Sequence, residues 1–138
     1  MDVRDLKIGD FVSWKDERCE ILVIAADQVA IRIGRRYKYN PTDISDIQPI
    51  SITDALLEKI GFKNKIKANH SLGYRLVLDE GNILIWHEYK TGKYIISILD
   101  NKSSVILAGK CISYLHQLQH ELHDAGIGIK IELDEKKI

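Results

Sequence analysis

The sequence predicts an α+β protein, mostly β, and three observations carry that reading. Short segments of alternating or continuously apolar residues fill positions 8 to 50 and return from residue 74 onward. Gly, Asp and Asn separate those segments at hairpin spacing. Only residues 53–60 and roughly 112–125 show the three-to-four-residue apolar spacing of a helix. The expected architecture is a small β-barrel over 1–50 and a connecting helix within 51–64. Over 65–138 an antiparallel β-meander follows, packed by one C-terminal helix (112–125) and closed by a last strand.

The opening "IGDFVSW" alternates, with Ile8, Val12 and Trp14 able to share one side. "CEILVIAA" is apolar on both sides, as a central strand is. Asp27-Gln28 turns the chain into "VAIRIG", which alternates through Val29, Ile31 and Ile33. The polar, turn-forming "RRYKYNPTDISDIQPI" then ends on an apolar finish. Five short strands in so few residues fit a closed or nearly closed barrel. From Ile8-Gly9-Asp10-x-Val12 to Asp46-Ile47-x-Pro49-Ile50 the segment resembles a Src-homology-3-like small barrel of the Tudor or KOW kind.

"PISITDALLEKIGF" is the clearest helix signal. Thr53 suits the N-cap, Asp54 the first turn, Ile52 with Leu57 a hydrophobic staple, and Gly61 the stop. Leu56, Leu57 and Ile60 form one stripe, so the helix either plugs the barrel or joins the two halves. "YRLVL", "NILIWHEY" and "KYIISIL" are three strands, linked by Asp79-Glu80-Gly81-Asn82 and by Lys90-Thr91-Gly92. "SVILA" adds a fourth strand, and "IGIKIEL" is the last strand after the C-terminal helix.

The 20 basic and 20 acidic side chains cancel, which disfavours nucleic acid and membrane surfaces as partners. No run approaches the roughly 20 apolar residues that span a bilayer, and the opening residues carry no apolar signal core. A cytosolic location is expected, with Cys19 and Cys111 as reduced thiols. No cofactor is expected: "AGIGIK" follows a helix where a phosphate loop would open one.

Three constellations carry chemistry. On "YLHQLQHELHDAG", Cys111, Tyr114, Leu115, Leu118, Leu122 and Ala125 fall on one helical stripe, and His116, His120 and His123 lie nearly opposite. His116 and His120, at i and i+4, can share a metal, with His70, His87, Glu88 or Glu121 as a third ligand. Gln117 stands where the metalloprotease helix needs its Glu base, so that chemistry is excluded and a solvated helix face is the preferred reading. "RIGRRYKY" places Arg32, Arg35, Arg36 and Lys38 beside Tyr37 and Tyr39, which suits a protein partner or single-stranded nucleic acid. A solvated hairpin with its edge protected by cations explains the same residues. His87, in a strand with Ile85 and Tyr89 on its side, reads as a partly buried histidine, and Trp86 as core.

"LKIGDFV", "IQPISITDALLEKIGF" and "YLHQLQHEL" occur in this order. Together they resemble a group of small uncharacterised proteins of gut anaerobic bacteria and of their phages and mobile elements. The match runs through Ile8, Gly9, Val12, Pro49, Ile50, Thr53, Leu57, Gly61, Phe62, His116, Gln117, Leu118 and Gln119. The resemblance implies a compact accessory protein in a mobile-element setting, and it supplies no catalytic residues. The group's pattern includes His116 but not His120 or His123.

The function expected first is a non-enzymatic binding module that docks a protein partner. Weak nucleic-acid binding through the 32–39 hairpin comes second. A metal-dependent hydrolase using His116 and His120 comes third.

Overall fold

The structure is a computed structural model that describes residues 5–34 and 36–127, the side chains of residues 36–40 excepted. The described residues form two five-stranded antiparallel sheets and two α-helices. They divide into two compact units. Among the described residues, one takes the chain up to Ser51 with Tyr114–Gln119, and the other takes Ile52–Ser113 with the residues from His120 to Ile127. The last strand expected after Gly126 lies outside the described residues.

In the first unit the strands are β1 (Phe11–Trp14), β2 (Glu17–Ala25), β3 (Gln28–Ile33), β4 (Arg36–Asp43) and β5 (Ile47–Gln48). A 3-10 turn at Ile44–Asp46 leads into β5. The order β4-β3-β2-β1-β5 makes a curled half-barrel in which β4 and β5 end the sheet instead of closing it. Leu6, Val12, Cys19, Ile21, Val29, Ile31 and Ile47 form its core, with Trp14, Ile24, Ile33 and Ile44 packed against them. Ile8 departs from the expected side: it is 70% exposed. The chain turns there, with Gly9 at φ +94° and the Asp10 carboxylate accepting from the Lys7 N–H at 2.7 Å, so alternation begins only at Phe11.

In the second unit α1 spans Asp54–Lys59, as its local signals require. Thr53 Oγ1 accepts from the Leu56 N–H at 3.1 Å. Leu56 and Leu57 are buried, and Gly61 at φ +117° ends the helix. The meander is β6 (Asn64–Lys67), β7 (Ser71–Leu78), β8 (Gly81–Glu88), β9 (Tyr94–Asp100) and β10 (Val105–Ile112), hydrogen-bonded in the order β10-β9-β8-β7-β6. Alternate residues of β8 and β9 (Ile83, Ile85, Ile96 and Ile98) are completely buried and define the inner face.

β10 is longer than "SVILA" alone predicts, and it takes residues expected in the helix. Cys111 pairs with Ile95 and Ile112 with Tyr94, so Cys111 is an exposed strand residue and not part of a helical stripe. The ladder outcompetes the helix there, and α2 starts only at Leu115 and ends at Asp124. Leu115, Leu118 and Leu122 are its buried stripe. The division between the units passes through α2 after Gln119.

Candidate functional site

Of the candidate binding and metal residues, Arg32, His116 and His120 have described side chains. Arg32 forms an ion pair with Glu20 across the β2–β3 ladder. Arg35, and the side chains of Arg36, Tyr37, Lys38 and Tyr39, lie outside the described residues. The three histidines do not share a wet face. His116 is 4% exposed and its ring stacks on Tyr114 with centroids 5.8 Å apart. His120 is half-buried, and only His123 is open to solvent. Among the described residues no group of three His, Cys, Asp or Glu side chains could hold a metal ion. No described helix is long and apolar enough to cross a membrane.

The glutamines around His116 explain the helix motif structurally. Gln117 Oε1 accepts from the Tyr114 N–H at 3.1 Å, the arrangement by which an N3 side chain caps its own helix. The Gln119 amide accepts from the Phe11 N–H at 2.9 Å and donates to the Gly9 carbonyl at 3.0 Å. One side chain thereby satisfies both backbone groups where β1 leaves its turn, holding the start of the half-barrel to α2.

A polar cluster that local reading did not find joins α1 to the second sheet. The Tyr94 hydroxyl donates to Asp54 Oδ1 at 2.7 Å. His87 Nδ1 lies 2.9 Å from the same oxygen, close but poorly aligned for a hydrogen bond. The His87 ring stacks on Tyr94, with centroids 4.2 Å apart and planes 13° from parallel, and meets Tyr89 edge-on at 6.1 Å. Burial, reinforced by the hydrogen bond to Asp54, pushes the Tyr94 hydroxyl well above the ordinary tyrosine range. Tyr74 is raised in the same direction, first by burial and then by the negative charge of Asp54. The imidazole therefore has a carboxylate and two aromatic rings as neighbours. The Tyr94–Asp54 hydrogen bond ties the first turn of α1 to β9 beside this ring.

The other face of the same sheet carries apolar residues in successive rows. Register places Gly73, Trp86, Ile95 and Cys111 in one outer row, Arg75, Leu84 and Ser97 in the next, and Val77, Asn82, Leu99 and Val105 in a third. Val77 and Val105 are 58% and 63% exposed, while Leu84, Trp86, Ile95 and Leu99 are half-buried. The indole lies across Gly73, where an added Cβ would come within 2.9 Å of Trp86 Cζ3. Trp86, expected in the core, thus covers the outer face of β7. An antiparallel sheet with one solvated face ordinarily carries polar residues at these positions. Here β8 and β9 are apolar on both sides.

The sheet ends are, by contrast, blunted against strand addition. β5 has two residues, β4 contains Pro41, and β6 carries Lys65 and Lys67. β10 is interrupted by two register shifts and by Gly109 at φ +60°. No protein-family model, curated protein or solved structure matches the chain.

Proposed function

We propose that this chain is a non-enzymatic binding module that docks a protein partner through the outer face of its second sheet. The observation that carries the reading is the row Gly73–Trp86–Ile95 with Leu84, Leu99, Val77 and Val105 beside it. A contiguous apolar face centred on a tryptophan is the composition of an interface core. The blunted sheet ends favour the face over β-augmentation as the route of contact. The contacts of His87, a carboxylate and two aromatic rings, support a binding role over a catalytic one.

The finer parts of the reading rest on the sequence. The order β4-β3-β2-β1-β5, with a 3-10 turn before β5, supports reading the half-barrel as Src-homology-3-like. The resemblance of the opening strand, α1 and α2 motifs supports an accessory role in a phage or mobile-element setting. A cytosolic protein fits its two free thiols, Cys19 and Cys111.

The test is comparative affinity capture with wild type, Leu84→Glu and Val23→Glu. Val23 is an exposed apolar residue of the other sheet and serves as the control. Proteins retained by wild type and Val23→Glu but lost by a folded Leu84→Glu support the reading, and equal retention by all three refutes it. Fluorescence anisotropy of labelled single-stranded DNA and RNA at about 50 and 200 mM salt separates the nucleic-acid alternative, which predicts steep weakening between the two.

A further inference from the structure

We propose that the outer face of the second sheet packs against the same face of a second copy of this chain. The inference rests on the docking reading above and names the partner. Two sheets that meet face to face bury flat, apolar surfaces about 10 Å apart. The apolar rows supply such a surface, and Gly73 lets the Trp86 ring lie across β7 with no side chain beneath it.

Its size fits. The five strands have four, eight, eight, seven and eight residues. At about 3.4 Å per residue and about 4.8 Å between strands they present about 570 Å² from each copy and about 1,140 Å² for two, above the roughly 1,000 Å² that a specific interface must clear.

Its charges are self-complementary. Arg75, Glu88 and otherwise uncharged residues make up the outer rows of β7, β8 and β9. Arg75 pairs with Leu84 on one side of the Gly73–Trp86 row, and Glu88 pairs with Ser71 on the other. A two-fold axis along that row carries Arg75 of one copy onto the Ser71–Glu88 row of the other, one strand spacing from Glu88, and the reverse contact forms at the same time. The whole chain, with 20 basic and 20 acidic side chains, adds no net repulsion.

Sedimentation of the untagged full chain over a concentration series tests this, with circular dichroism to verify folding. Wild type is expected to dimerise. Arg75→Glu alone places carboxylates against Glu88, and Glu88→Arg alone places cations against Arg75. Each is expected to weaken the dimer at least tenfold, about 1.4 kcal/mol. Mixing the two variants pairs opposite charges at both contacts and is expected to restore the dimer. A wild type that stays monomeric, a dimer indifferent to both reversals, or a mixture no tighter than its components would overturn the proposal. A monomeric wild type whose captured proteins still depend on Leu84 would leave the docking reading standing and assign the face to an apolar segment of another protein.

Discussion

Replacing Asp54 by alanine removes the acceptor of the Tyr94 hydroxyl and the carboxylate beside His87. Tyr94 is 8% exposed, so water reaches the stranded hydroxyl poorly. Leaving a buried donor unsatisfied costs about 1–3 kcal/mol. Loss of a carboxylate from the first turn of α1 adds a few tenths of a kcal/mol, because the Asp54 side chain is 42% exposed and its charge is largely screened. The total is about 2 kcal/mol, or a fall of about 7 °C in Tm for a chain of this size. Tyr94→Phe removes the donor instead and leaves a carboxylate that water can hydrate, so about 1 kcal/mol is expected. Asp54→Asn keeps an acceptor and should fall between the two. Thermal and urea unfolding of the three variants and of Asp54→Ala/Tyr94→Phe measure the coupling, expected at about 1 kcal/mol. A coupling near zero, with Tyr94→Phe as stable as wild type, would refute the claim that this contact fastens α1 to the sheet.

Gln119→Leu strands the Phe11 N–H and the Gly9 carbonyl and should cost about 2–4 kcal/mol by urea unfolding, whereas Gln117→Ala should cost about 1 kcal/mol. Gly81→Ala should cost about 3 kcal/mol or prevent folding, since φ there is +156° and the new Cβ would fall on the Leu99 carbonyl oxygen. A thiol reagent should modify Cys111 in the native protein and Cys19 only on unfolding. Cys19 is buried, and burial, with the charge of Glu17, pushes its thiol up to about 12. Stability should also fall in alkali. Tyr74 and Tyr94 ionise at about pH 10 when unfolded and well above it when folded, so their contribution is intact below about pH 10 and is lost as pH rises towards the folded values. Tyr94→Phe should reduce that loss, as read by unfolding at graded pH.

Local signals decided which elements were legible. Thr53, Asp54 and Gly61 delimit α1 without help from the rest of the chain, and the Asp79-Glu80 and Lys90–Gly92 turns fix the hairpins by chemistry of their own. Leu115, Leu118 and Leu122 revealed the buried side of α2 by period alone. The same period put His116 on the opposite arc, and it failed there because burial depends on what packs against a helix. The boundary at Cys111 and Ile112 was missed because pairing with β9 is a non-local contact that overrides helical spacing. The Asp54–His87–Tyr94 cluster joins residues 40 positions apart, and the Gln119 clamp reaches 110 positions back to Gly9. No motif spacing encodes such pairs. The apolar residues on both sides of "NILIW" and "YIISIL" are plain in the sequence, but the hairpin pattern alone accounted for those strands, and Trp86 read as core.

The most direct test of a covered outer face is the fluorescence of Trp86, isolated as the sole tryptophan by Trp14→Phe and followed with a soluble quencher across dilution. A docked face predicts blue-shifted, quencher-protected emission at high protein concentration that turns red and accessible on dilution, with Leu84→Glu fixed in the accessible state. Emission that is equally accessible at every concentration and unchanged by Leu84→Glu would contradict it.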